Sequence, residues 1–182
     1  MRKYNPALPI SAIAVIAIMA VSVFALQQTA LTRAHYFAQT GYLVREPLLT
    51  YYEQNGGADF FGYPLTDSYT DSDQVLTQTF QNAQLRLTVR GVEMSPLGYW
   101  LRLGDDSSGA VVDSAFEAFY NAHGGNTMFG AAIGLAHEED SLLVQDFERA
   151  RLVRGADGSI APGALGAMWL AVSPAAPVLQ AN

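Results

Sequence analysis

Side chains that commonly ligate metals or carry catalysis are few and scattered in this chain. The three histidines, His35, His123 and His137, show neither an i, i+4 spacing nor the carboxylate pattern of a metal site. The chain has no cysteine, which excludes disulfides, thiolate chemistry and cysteine-ligated metals. It also lacks the G-x-S-x-G, P-loop and G-x-G-x-x-G motifs. We therefore predict no catalytic residue, no metal ligand and no cofactor, and expect a protein that is not an enzyme.

Carboxylates are the most abundant charged groups. Asp71-Ser72-Asp73 and Asp105-Asp106 offer oxygens to calcium, but an EF-hand loop needs a longer pattern, so solvated acidic loops are the favoured interpretation. The formal net charge is −7, and beyond residue 26 eight arginines stand against 17 acidic residues. Such a balance repels phosphate groups, so we expect no nucleic acid among the partners.

The elements that must position these residues occur twice. At an offset of 68 residues, Gly41–Leu65 matches Gly109–Ile133, and at an offset of 67, Gln78–Leu87 matches Gln145–Arg154. An internal repeat means that each copy is one supersecondary unit. Glycines, aromatic residues and aliphatic residues recur, whereas reactive polar residues do not. The repeat therefore favours a packing role over catalysis.

Each copy predicts a short helix followed by a small antiparallel β meander. Glu46 and Ser114 are the predicted caps, the latter in a capping box with Glu117. Gly56 and Gly124 stand where a helix ends in a left-handed residue. The predicted strands are 75–80 and 83–89 in the first copy and 142–147 and 150–154 in the second, each pair followed by a third short strand.

An apolar run, Ala7–Leu26, is long enough to span a bilayer as a single helix. Arg2 and Lys3 precede the run and the next basic residue is Arg33, so the positive-inside rule places the N-terminus in the cytoplasm. The repeat domain would then lie in the periplasm or outside the cell, tethered to the inner (plasma) membrane. A cleaved signal peptide is the alternative, although the run exceeds a usual h-region.

The predicted fold class is therefore α+β, with one N-terminal transmembrane helix and two tandem repeats, each a short helix packed on an antiparallel β meander. The predicted divisions are a cytoplasmic N-terminus (1–5), the transmembrane helix and its outer extension (6–36), repeat 1 (37–104), repeat 2 (105–170) and an extended C-terminal tail (171–182).

One segment of the first copy carries a family resemblance. The motif GGADFFGYPLT (residues 56–66), followed by Gln78-x-Phe80-x-x-Ala83, resembles the LGFP-type repeat of bacterial cell-surface and secreted proteins. The similarity covers residues 37–170, and the second copy departs from it at 131–133, which read Ala-Ala-Ile instead of Tyr-Pro-Leu. The resemblance implies an extracytoplasmic location, attachment to wall polymers in some members, and no catalytic residues.

Two functions follow from these features. The first is a non-catalytic, single-pass accessory subunit of a larger bacterial membrane complex, with an electron-transfer (respiratory or photosynthetic) complex as the first guess. Its partners would be other membrane-protein subunits and the lipid bilayer. The alternative is a membrane-tethered module that binds peptidoglycan or another wall polysaccharide. Tyr63, Tyr99, Trp100 and Trp169 are the predicted partner-contact residues, because exposed aromatic side chains are enriched at interfaces.

Overall fold

The computed structural model describes residues 33–104 and 110–173. In the first repeat the elements are β1 (Ala34–Phe37), β2 (Tyr42–Arg45), α1 (Leu48–Gln54), α2 (Gly57–Phe61), β3 (Tyr69–Thr70), β4 (Leu76–Thr79), β5 (Gln84–Thr88), β6 (Gly91–Met94) and α3 (Leu97–Trp100). In the second they are α4 (Ser114–Ala122), α5 (Gly125–Phe129), β7 (His137–Glu139), β8 (Leu142–Asp146), β9 (Arg151–Arg154), β10 (Ile160–Pro162) and α6 (Leu165–Val172). Two helices, a four-stranded antiparallel sheet and a final helix thus recur in order.

The predicted fold class is wrong in its transmembrane part. No helix within the described ranges has the length and apolar character needed to cross a bilayer, and the predicted span Ala7–Leu26 lies outside those ranges. Residues 34–36, predicted as an outer extension of that helix, belong instead to β1, which pairs antiparallel with β2. The reason is Phe37, which ends β1 and is only 8% exposed. The hairpin turns its ring inward against Tyr52, 5.5 Å away.

The two sheets have the same topology. Their strand orders are β3-β4-β5-β6 and β7-β8-β9-β10, and every neighbouring pair is antiparallel. The register matches as well, since Thr79 faces Gln84 in one sheet and Asp146 faces Arg151 in the other. The first strand of each sheet, β3 or β7, was not among the predicted strands.

Paired glycines divide the helical part of each repeat. Gly56 (φ +101°) and Gly124 (φ +94°) adopt the predicted left-handed conformation, and a second short helix starts directly afterwards. The predicted capping box at Ser114 is wrong, because Asp113 is the N-cap and its carboxylate accepts from the Ala115 amide at 2.8 Å. An aspartate one residue earlier supplies the same bond, so the helix starts at Ser114 itself.

The repeats share one hydrophobic core. Tyr52 stacks on Phe80 with ring centroids 5.1 Å apart, and Tyr120 stacks on Phe147 at 5.3 Å. The two aromatic clusters meet where Phe60 packs edge-on against Phe129 at 5.6 Å. A unit of this size is marginal alone, and this contact explains how two of them bury a common interior.

The final helices are exchanged between the repeats. Helix α3 of repeat 1 lies on the β8–β9 turn of repeat 2, where the Gly98 amide donates to Glu148 O at 3.0 Å. Helix α6 of repeat 2 lies on the β4–β5 turn of repeat 1, where the Ala167 amide donates to Gln81 O at 3.0 Å. A Cβ at Gly98 would collide with Phe147 O, and one at Gly166 with Phe80 O. Glycine is needed here for close backbone approach.

Helix α6 also reaches Val172, two residues into the segment predicted as an extended tail. The rest of that predicted tail, from residue 174, lies outside the described ranges, as do residues 105–109 at the start of the predicted second repeat. The exchanged helices themselves were not predicted from the sequence.

Candidate functional site

Two of the four predicted partner-contact residues meet where α3 contacts α6. The rings of Trp100 and Trp169 have centroids 5.3 Å apart and planes inclined by 45°. Trp100 is 39% exposed, so part of its indole faces solvent. The helix exchange therefore creates an indole pair from two residues that are 69 positions apart in the chain.

A cleft of about 390 Å³ opens beside the indole pair. Its lining consists of residues 69–73, Gln84, Trp100, Trp169 and Ser173. Residues 69–73, Gln84 and Trp100 come from repeat 1, and Trp169 and Ser173 come from the end of repeat 2. The cleft therefore exists only when the repeats are docked. Its volume is in the range of ordinary small-ligand sites. We refer to it below as the indole cleft.

The buried floor of the indole cleft is a satisfied hydrogen-bond network. Gln84, 3% exposed, donates through Nε2 to the Tyr69 hydroxyl oxygen at 3.2 Å and to Thr79 Oγ1 at 3.0 Å. Its Oε1 accepts from Ser95 Oγ at 2.7 Å. Since buried amides that lose a partner are costly, this network holds the floor in one arrangement.

The acidic wall of the cleft has one structural and one exposed carboxylate. Asp71 Oδ1 accepts from the amides of Asp73 (2.9 Å) and Val75 (3.0 Å), and Oδ2 accepts from Thr77 Oγ1 at 3.2 Å. These bonds shape the loop in the manner of an Asx-turn. The Asp73 side chain is 71% exposed and makes one ion-pair contact, with Arg86 Nη2 at 3.7 Å. Asp73 is thus the carboxylate that a ligand can reach.

Arg86 supports both walls from behind. Its guanidinium carbon lies 5.7 Å from the centroid of the Trp100 ring, within cation–π range. Nη2 is 4.0 Å from Asp71 Oδ2, and the side chain is only 14% exposed. Arg86 therefore fixes the indole relative to the acidic loop.

Tyr69 contributes a neutral hydroxyl. Burial raises the pKa of Tyr69, a hydrogen bond with Thr79 opposes the rise, and the charge of Asp71 adds to it. The phenol therefore stays protonated through the neutral range and well into the alkaline range. It can donate to or accept from a ligand hydroxyl.

The other two predicted contact residues lie elsewhere. Tyr99 is 58% exposed on α3 but does not line the cleft. Tyr63 is half-buried and packs against Phe37 at 6.1 Å, so it belongs to the edge of the core. Sequence reasoning missed Tyr69 and Gln84. The signal that could have pointed to Gln84 is a difference in charge between the repeats, since Gln84 aligns with Arg151 at the offset of 67 residues.

In repeat 2 an ion-pair network occupies the positions equivalent to Thr79 and Gln84. Arg151 donates from Nε and Nη2 to Asp146 at 2.7 and 3.0 Å, and from Nη1 to both oxygens of Glu139 at 3.1 and 3.0 Å. Asp146 is 2% exposed and Arg151 7%. Burial by itself would lower the pKa of Arg151, but the hydrogen bonds and charges of the two carboxylates raise it.

The described histidines and carboxylates do not form a metal-binding cluster. Within residues 33–104 and 110–173, no three histidine or carboxylate side chains are grouped so that they could hold an ion. Asp71 and Asp73 are the described part of the acidic set, whereas Asp105-Asp106 lies outside the described ranges.

No protein-family model matches this chain. A search of curated proteins likewise finds no match. The resemblance to LGFP-type repeats stays a prediction.

Proposed function

We propose that this protein is a non-catalytic module that binds a polysaccharide of the cell envelope in the indole cleft. The observation that carries the proposal is the pair of indoles, Trp100 and Trp169, opening on a cleft of about 390 Å³ with hydroxyl and carboxylate groups at its rim. Aromatic side chains offer a large apolar surface at low entropic cost, which suits the C–H faces of sugar rings. The polar rim suits their hydroxyl groups.

The acidic wall supports binding rather than hydrolysis. Glycoside hydrolysis uses two carboxyl groups on opposite sides of the scissile bond, one protonated and one charged. Asp71 and Asp73 lie in the same loop, and both face the guanidinium of Arg86. Asp71 already accepts three hydrogen bonds within that loop. The two groups thus lie on the same wall of the cleft.

The origin of the cleft from both repeats adds a property that can be measured. Trp169 comes from α6 and Ser173 is the C-cap of that helix, whereas Tyr69 and Gln84 come from repeat 1. A ligand that touches both walls binds the docked repeats and not the separated ones. It should therefore raise the melting temperature as its concentration increases.

The first test replaces the indoles. Trp100→Ala and Trp169→Ala are expected to weaken binding of β-1,4-linked N-acetylglucosamine oligomers about 10-fold or more, since aromatic anchors dominate such sites. Tyr99→Ala is the matched control, because Tyr99 is exposed on the same helix as Trp100 but does not line the cleft. Titration calorimetry with the full chain, together with its melting temperature, measures both effects.

A second variant separates loss of the cleft from loss of folding. Ser72 is exposed and lies on the rim, so Ser72→Trp fills the cleft without removing a core contact. We expect wild-type stability and abolished binding. Wild-type affinity in Ser72→Trp and Trp169→Ala, or no affinity of the wild-type chain for isolated cell-wall polysaccharide, would contradict the proposal.

The accessory-subunit role stays a second proposal, favoured by Tyr99. An aromatic side chain that is 58% exposed and lies outside the cleft is typical of a protein contact. If Tyr99→Ala released the chain from a purified membrane complex while leaving glycan binding unchanged, that role would gain support. Recovery of the wild-type chain free of any complex under mild detergent would contradict it.

A further inference from the structure

We infer that the indole cleft selects its glycan by charge, taking neutral or amine-bearing sugars and rejecting sugars that carry carboxylate or phosphate groups, with Asp73 as the specificity-determining residue. This inference rests on the proposed function and goes beyond it by naming the class of glycan.

The first step is the balance of charge at the cleft. Among the described residues that line it, the charged side chains are the carboxylates of Asp71 and Asp73. One guanidinium, that of Arg86, lies 4.0 and 3.7 Å from them. One positive charge therefore faces two negative charges, and the wall keeps a net negative charge of about one unit.

The second step is access. The Arg86 side chain is 14% exposed and lies against the indole of Trp100, whereas the Asp73 side chain is 71% exposed. A bound sugar stacked on the indoles would meet the carboxylate of Asp73 before it met the guanidinium. A ligand anion would thus be repelled without a compensating cation, and a ligand ammonium group would find a partner.

The third step is the neutrality of the remaining lining. The side-chain amide of Gln84 makes three hydrogen bonds within the protein, and Tyr69 is a neutral phenol. Neither group compensates a ligand charge. The discrimination should therefore depend on Asp73 and should weaken with salt, because the carboxylate is exposed and screened.

The experiment uses three oligomers with the same β-1,4 linkage: glucose (neutral), glucosamine (cationic) and glucuronate (anionic). For the full chain at low salt, we expect the anionic oligomer to bind about 3- to 10-fold more weakly than the neutral one, and the cationic oligomer at least as tightly as the neutral one. Asp73→Asn should bring the three affinities within about twofold, because it removes the charge and keeps the shape.

Glu138→Gln is the matched control, since Glu138 is an exposed carboxylate of the other repeat and its loss changes the net charge equally. The control should keep the wild-type preference. Tightest binding of the anionic oligomer, or an unchanged preference in Asp73→Asn, would overturn the charge selection while leaving glycan binding intact. Failure of all three oligomers and of isolated wall polysaccharide would instead overturn the proposed function.

Discussion

The two repeats are most informative where they differ, on the outer face of each sheet. At the same register, repeat 1 places the neutral pair Thr79 and Gln84 and repeat 2 places the ion pair Asp146 and Arg151. Gln84 lines the indole cleft, whereas Arg151 reaches across to Glu139. Duplication has thus kept the scaffold and given one face to a cleft and the other to an internal network.

Elsewhere the repeats place equivalent residues in equivalent contacts. Gln78 Nε2 donates to Leu43 O at 2.8 Å, and Gln145 Nε2 donates to Val111 O at 2.8 Å. Each glutamine is fully buried and ties the segment before the first helix to the middle of the sheet. The glutamine of the repeated motif therefore serves the scaffold, which explains why it recurs while the cleft residues do not.

The largest expected effect comes from breaking the ion pair. Asp146→Ala leaves the guanidinium of Arg151 buried with only Glu139 as a partner, so we expect the free energy of unfolding to fall by about 3–5 kcal/mol. Thr79→Ala, the matched change in repeat 1, removes only neutral hydrogen bonds, with Gln84 and Tyr69, and should cost about 1–2 kcal/mol. Urea unfolding measures both. Equal costs for the two variants would refute the contrast between the repeats.

A smaller effect tests whether the helix exchange is reciprocal. Gly98→Ala and Gly166→Ala each push a methyl group into a backbone carbonyl of the other repeat, and each should lower the free energy of unfolding by about 1–3 kcal/mol. Tyr99→Ala, which changes the exposed side of α3, should change the free energy of unfolding by no more than about 0.5 kcal/mol. Chemical denaturation of the three variants checks this. A loss in only one glycine variant would show that one repeat folds without the helix of the other.

The smallest expected effect appears at alkaline pH, where the equivalent residues Tyr52 and Tyr120 can be compared. Burial, aided by Tyr63 and Asp59, raises the pKa of Tyr52 to about 12. Burial and then Glu148 raise the pKa of Tyr120. The phenol of the unfolded chain loses its proton near pH 10, whereas the phenol of folded Tyr52 loses it at higher pH. The stabilisation of the folded state by the protonated phenol is therefore complete below pH 10 and is lost as the pH rises towards 12.

Tyr52→Phe should therefore flatten the alkaline decline in the free energy of unfolding, and Tyr120→Phe should flatten it less, since Tyr120 is less buried. At pH 8 each variant should lose about 1 kcal/mol, because each hydroxyl donates to a backbone carbonyl, that of Gly62 or Gly130. Unfolding curves from pH 8 to 11.5 measure both quantities. If the free energy of unfolding of Tyr52→Phe declined with pH as steeply as that of the wild-type chain, the assignment of this decline to Tyr52 would be contradicted.

Local features were the most predictable from sequence. The left-handed glycines at 56 and 124 and the turns at 81–82 and 148–149 follow from chemistry within a few residues, and the structure has them. Residues 34–36, predicted as an outer extension of the transmembrane helix, form a strand because a hairpin partner and the buried Phe37 hold them in place. The accessory strands β3 and β7 were missed because pairing, not intrinsic preference, makes a short polar segment a strand.

The sequence by itself determined that the chain is duplicated, that its aromatic residues build the interior, and that Trp100 and Trp169 are surface candidates. Only the tertiary structure decided that these two indoles touch and that Gln84 and Asp73 line the same cleft. The physical reason is that repeat docking is a long-range event. Backbone approach at Gly98 and Gly166 sets the position of each helix on the other repeat, and no local pattern encodes that distance.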